Sequence, residues 1–246
     1  MFPSLALRDY LRQRAAWVWN EQARAFDHGL SLQEETLTEM LLLRMARDHT
    51  KHGLSVTMFS KPAEAVNGAD WEWIVSTPSC QIGLRVQAKR LYYRGTGQDY
   101  GGLDLNFLQA DKLITRAGSC IPVYVFYNHD HGMNSALLDA GGEYPYRGRS
   151  FWGCAVASAQ AVKAAKSNNL RVLRNIMKPW HHLVTAKGAC GATSALAASG
   201  AVIQGTMPQF RRQVIERIRD RDFMLRYLLE HELIGVAVID FSDFRG

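Results

Sequence analysis

Little in this sequence would staple or tether a chain. Its 246 residues hold four cysteines, Cys80, Cys120, Cys154 and Cys190, placed 34 to 40 residues apart. No pair has C-x-x-C spacing, which excludes a zinc knuckle and makes a poor disulfide framework, so all four are read as reduced, mostly buried thiols. His129, His131, His181 and His182 have no H-E-x-x-H spacing to mark them as metal ligands. Long hydrophobic runs are missing too. Arg8, Asp9, Arg12 and Arg14 interrupt the N-terminal segment, which leaves no apolar stretch for a signal peptide. The longest uncharged run, Gly188 to Phe210, carries many Gly, Ser and Thr with Gln204 and Pro208. It is too polar to span a membrane and reads as a surface loop. The expectation is a soluble cytoplasmic protein with no membrane contact. No internal repeat divides the chain, and no linker separates it into independent domains.

What is present is ordinary for a globular protein: 47% hydrophobic and 21% charged residues, with a net charge of +6. These fractions exclude a disordered, collagen-like or coiled-coil chain. The surplus is mild, but it is uneven. Residues 171–230 hold ten Lys and Arg against four Asp and Glu, while the rest balances at 19 and 19. This basic segment reads either as a solvated helix face or as a grip on a phosphate backbone, with Arg211 and Arg212 as candidate contacts.

Hydrophobic spacing predicts a helix over Leu5–Phe26 and a second from Ser31 to Arg47, burying Leu37, Met40, Leu41 and Met45. Ser31 and Glu34 have the spacing of a capping box. Short strands are predicted at Ser55–Phe59, Asp70–Thr77 and Gln81–Tyr93, the last two as a hairpin. A helix over Asp104–Ala117 and a buried strand over Ile121–Tyr127 complete the order helix, three strands, helix, strand. Beyond these come a strand at Trp152–Ala157, helices at Ser158–Ser167 and Leu170–Met177, a long helix at Gln209–His231 and a last strand at Val236–Phe241. The fold class is therefore α/β. An N-terminal helix (1–29) packs on a core (30–128), and an α/β extension (129–246) with the basic helix is continuous with that core.

The chemistry concentrates in Gly68-Ala69-Asp70-Trp71-Glu72-Trp73 and Val86-Gln87-Ala88-Lys89-Arg90. Side chains alternate along a strand, so Gln87 and Lys89 share one face, as do Asp70 and Glu72. A hairpin can then collect two carboxylates, a carboxamide and an ammonium on one patch. Such a patch suits phosphodiester hydrolysis: carboxylate, carboxamide oxygen and backbone carbonyl hold a hard divalent cation, and the lysine steadies the attacking water. The plainer alternative is a solvated polar strand face.

The Asp70 … Gln87-x-Lys89 arrangement resembles the PD-(D/E)XK nuclease superfamily, in the glutamine variant similar to Mrr-type restriction endonucleases. The resemblance covers residues 30 to 128. It implies a restriction-endonuclease-like α-β-β-β-α-β core with a mixed sheet. It also implies a Mg²⁺-dependent endonuclease (Mn²⁺ able to substitute) acting on DNA, with duplex as the expected form. Cleavage leaves a 5′-phosphate, in restriction or defence against foreign DNA, and a homodimer would cut both strands. Asp70, Gln87, Lys89 and Glu34 are the implied catalytic residues, with Glu35 the fallback for Glu34. Asp70, Gln87 and the Ala88 carbonyl are the implied metal ligands, and Glu72 is an additional acid that either joins them as a metal ligand or sits at the rim. Gln109, on the following helix, matches the position where related nucleases hold the phosphate or the water, and Arg90 is a further substrate contact. Two other readings stay open: a catalytically silent nucleic-acid-binding module on the same fold, and an RNA-cleaving enzyme.

Overall fold

The computed structural model describes residues 3–48, 54–58, 69–77, 80–94, 97–103, 105–118, 120–129, 148–184, 214, 216–231, 233 and 235–240. Helices α1 (Pro3–Asp27) and α2 (Glu34–Asp48) lead into strands β1 (Leu54–Met58), β2 (Trp71–Thr77) and β3 (Cys80–Arg90). A small ribbon, β4 (Tyr92–Arg94) and β5 (Gly97–Asp99), precedes α3 (Leu108–Thr115) and β6 (Ile121–Tyr127). Then follow α4 (Arg149–Trp152), β7 (Cys154–Ser158), α5 (Ala159–Ala165), α6 (Leu170–Leu173), β8 (Lys178–Pro179), a 3₁₀ turn (Trp180–Val184), α7 (Arg221–His231) and β9 (Gly235–Asp240).

Seven strands form one mixed sheet in the order β1-β9-β2-β3-β6-β7-β8. β9 runs parallel to β2 and β6 parallel to β3, while the other neighbours are antiparallel. Both faces are covered, so β6 is buried at every position, as expected of a strand between two helical layers. On one face Leu11, Val18, Leu37 and Leu41 from α1 and α2 pack on Trp71, Trp73, Val86 and Val125. On the other, Leu113, Val162, Leu173, Met224 and Leu228 pack on Ile74, Tyr124, Phe126 and Val236. The Trp180 indole is fully buried and donates to the Leu11 carbonyl (2.8 Å), pinning α1 to the sheet.

Several expectations are corrected. In α2, Leu42 is buried and Met40 is exposed. The capping box does not form, because the helix begins at Glu34 with the Gln33 carbonyl as its first acceptor. The third helix starts only at Leu108, because Phe107 adopts a left-handed conformation (φ 56°) that no helix continues through. The helix expected over Gln209–His231 is broken at Ile218–Asp220, where Asp220 Oδ1 accepts from the Phe223 N–H (3.0 Å) and starts α7 afresh. The final strand takes a place in the middle of the sheet that sequence order does not suggest. Cys120 and Cys154 are buried free thiols. The side chain of Cys80 and the whole of Cys190, His131, Arg211, Arg212 and the Gly188–Phe210 loop lie outside the described residues.

Candidate active site

The site grows out of a mismatch in strand length. β2 begins at Trp71, opposite Val86, so the end of β3 runs past it. The alternate N–H groups on that side, at Ala88 and Arg90, therefore lose a strand partner and must be satisfied otherwise. Two carboxylates take the place of the missing strand. Asp70 Oδ2 accepts from Ala88 N (2.8 Å), and Glu34 Oε2 accepts from Arg90 N (3.0 Å). Asp70 is itself fixed by its own N–H, which donates to the Val86 carbonyl (2.8 Å).

The side chains of β3 complete the group. Gln87 Nε2 donates to Asp70 Oδ2 (2.9 Å), and Gln109 Nε2 on α3 donates to Gln87 Oε1 (3.2 Å). Lys89 Nζ lies 3.1 Å from Glu34 Oε1, with the lysine side chain 4% and the glutamate 20% exposed. Two hydrogen-bonded sets thus stand side by side along β3: Asp70, Gln87, Ala88 and Gln109 in one, Glu34, Lys89 and the Arg90 N–H in the other. Glu35 is exposed. Burial and the nearby Glu34 charge push the Asp70 carboxyl up to about 7, against the pull of Lys89 and the two hydrogen bonds. Burial also raises Glu34, opposed chiefly by Lys89. Two carboxylates that resist sharing their negative charge are a site that a cation would relieve.

Two sequence candidates sit elsewhere. Glu72 is fully buried, accepts from the Tyr227 hydroxyl (2.7 Å) and lies 3.8 Å from the Arg85 guanidinium opposite it. It shares a sheet face with Arg85 and stands apart from both hydrogen-bonded sets, because Asp70 precedes the strand and escapes its alternation. Arg90 is buried, with its guanidinium 3.8 Å over the Tyr92 ring and donating to Ser31 Oγ (2.8 Å), so it braces the entry to α2. The basic face of α7 is represented by exposed Arg221 and Arg226, whereas Arg217 pairs with Asp220.

The sequence reading missed the roof of the site. Tyr100 is buried and donates to Asn128 Oδ1, while Asn128 Nδ2 donates to the Trp152 carbonyl (2.7 Å). This anchor holds the following turn so that a Cβ on Gly102 would stand 3.7 Å from Glu34 Oε2 and from the Lys89 side chain. A polar Asn ending a wholly apolar strand, and a Tyr-Gly-Gly turn, were the available signals. The histidines are accounted for differently: burial lowers His181 to about 3, which keeps it neutral among Phe151, His182 and Arg12.

Among the described residues no helix is long and apolar enough to cross a membrane, and no three His, Cys, Asp or Glu side chains cluster to hold a metal. No curated protein and no solved structure matches the chain. Residues 7–244 match the family of unknown function DUF6615, and with nearly the whole chain covered the protein belongs to that family.

Proposed function

We propose that the protein is a divalent-metal-dependent endonuclease that hydrolyses DNA phosphodiester bonds, in the manner of the glutamine-bearing PD-(D/E)XK nucleases it resembles. The observation that carries this reading is the overhang of β3, along which Asp70 with Gln87 and Glu34 with Lys89 stand as neighbouring pairs whose charges act on one another. The order α2-β1-β2-β3-α3-β6 supports a restriction-endonuclease-like core, to which β9 and the remaining elements are additions.

The residues fit a hard cation. Asp70 Oδ2 and the Ala88 carbonyl both accept from the same Gln87 NH₂ group, so a partial positive charge already stands where these oxygens converge. Asp70, the Gln87 carboxamide oxygen and the Ala88 carbonyl would hold Mg²⁺ or Mn²⁺. When bound, the ion supplies charge neutralisation and a water acidic enough to serve as nucleophile. Glu34 holds the Lys89 ammonium in place, and Lys89 offers its charge to the phosphate under attack. Gly102, which lacks a side chain, lets the turn lie directly over the Glu34–Lys89 pair. Exposed Arg219, Arg221 and Arg226 supply phosphate contacts at a distance from the chemistry. Duplex DNA as substrate, a homodimer that cuts both strands, a cytoplasmic setting and a role in defence against foreign DNA belong to the same proposal.

The test is cleavage of plasmid DNA with Mg²⁺. Activity that disappears with EDTA, in Asp70→Ala and in Lys89→Ala supports the assignment, and equal cleavage by those variants removes it. A second reading, a nucleic-acid-binding module without catalysis, is favoured by the single acidic side chain among the proposed ligands. DNA binding indifferent to EDTA and to Asp70→Ala would select it. Digestion of DNA and structured RNA side by side decides the substrate.

A further inference from the structure

Gln87 holds its carboxamide reversed for the role just given to it. Its Nε2 donates to Asp70 Oδ2 (2.9 Å) and to the Ala88 carbonyl (3.2 Å), the two oxygens that would hold the ion. Its Oε1, the atom a hard cation requires, accepts instead from Gln109 Nε2 (3.2 Å). At the far end of that contact, Gln109 Oε1 is a buried atom with no hydrogen-bond partner among the described residues. Two carboxamides thus meet donor to acceptor, with an unused acceptor behind them. A half-turn about the last side-chain torsion exchanges the two ends of each amide with little change of shape.

We propose that Gln109 is a positioning residue that allows Gln87 to switch between two faces. Without a cation, the Gln87 NH₂ group stands in for it between Asp70 and Ala88. With a cation, both carboxamides turn over: Gln87 presents Oε1 to the ion and donates its N–H to Gln109 Oε1. No covalent bond changes and no proton is transferred. Three acceptor oxygens facing one another repel, so the turned-over arrangement belongs only to the loaded state. A residue at 109 that cannot accept leaves the turned Gln87 NH₂ buried without a partner, and the cost falls on metal affinity.

The inference rests on the metal site proposed above, and its test separates the two. Calorimetric titration with Mg²⁺ and Mn²⁺ is paired with NMR of protein carrying ¹⁵N in its glutamine side chains. Mg²⁺ should shift the Gln87 and Gln109 NH₂ resonances together, and Asp70→Asn should abolish both the heat and the shifts. Gln109→Leu should lower the metal-free thermal midpoint, because Gln87 Oε1 loses its donor, and should still weaken Mg²⁺ binding severalfold, because a buried N–H left without a partner costs more than a carbonyl oxygen so left. Gln109→Glu, an acceptor only, should not weaken it. Binding with the Gln87 resonances unmoved, or with unchanged affinity in Gln109→Leu, overturns the switch and leaves the metal site standing. Absence of any Mg²⁺ or Mn²⁺ binding overturns both.

Discussion

Asp70 and Glu34 each surrender an oxygen to a backbone N–H of β3, and burial makes both harder to ionise. An unfolded aspartate ionises near pH 3.9, and Asp70 in the fold near 7. The folded protein therefore keeps a proton that the unfolded chain has released. Stability from this source is complete below about pH 4 and drains away as the pH rises towards 7. The thermal midpoint should fall between about pH 5 and about pH 8 in the metal-free protein, and fall much less in Asp70→Asn. Equal slopes would mean that Asp70 titrates normally. The spacing Asp70 … Gln87-x-Lys89 was legible because strand alternation governs Gln87 and Lys89. Glu34 was legible because it shares a helix face with Leu37 and Leu41. Glu72 was misplaced by the same rule, applied to Asp70, which stands one residue before β2. The amide contact between Gln87 and Gln109 depends on how α3 docks, and no local pattern records that.

Two helices end on one side chain. Arg85 Nη2 donates to the His231 carbonyl at the end of α7 (2.8 Å), and Nη1 to the Arg116 carbonyl at the end of α3 (3.2 Å). A guanidinium suits this position, since helix C-termini leave carbonyls unpaired at their negative pole. Buried Glu72 completes the balance from the facing strand. Arg85→Met should cost about 3 kcal/mol or more, because buried Glu72 loses the guanidinium that faces it. Adding Glu72→Gln should recover part of that loss. Hydrogen exchange should show both helix ends loosened, and metal affinity should be unaffected. Loss confined to one helix would refute the shared cap. The elements themselves were largely readable from periodicity, but their ends were not. The break before α7 turns on Asp220 serving as a cap, a role its sequence, Asp-Arg-Asp-Phe, allowed but did not compel. The start of α3 turns on the left-handed Phe107, a conformation its residue type disfavours.

At the scale of the whole molecule, the sheet is closed by its last strand. β9 pairs with β1 on one side, Leu54 opposite Ile239, and with β2 on the other, Trp71 beside Gly235. Periodicity finds such a strand but carries no information about where it inserts, and this is why the topology was only half legible. Truncation after His231 should give insoluble protein or one without a cooperative unfolding transition, because β1 and β2 then present bare edges. A soluble, cooperatively folded truncation would show that the sheet forms without β9. Pairings this distant in sequence also predict slow folding, limited by closure of the longest loop. The order of synthesis gives the inserted strand a second meaning. On the ribosome, Asp70 and Lys89 are translated early, yet the strand next to Asp70 has an open flank until residues 235–240 emerge. The proposed site thus gains its full support only once residues 235–240 have joined the sheet beside β2.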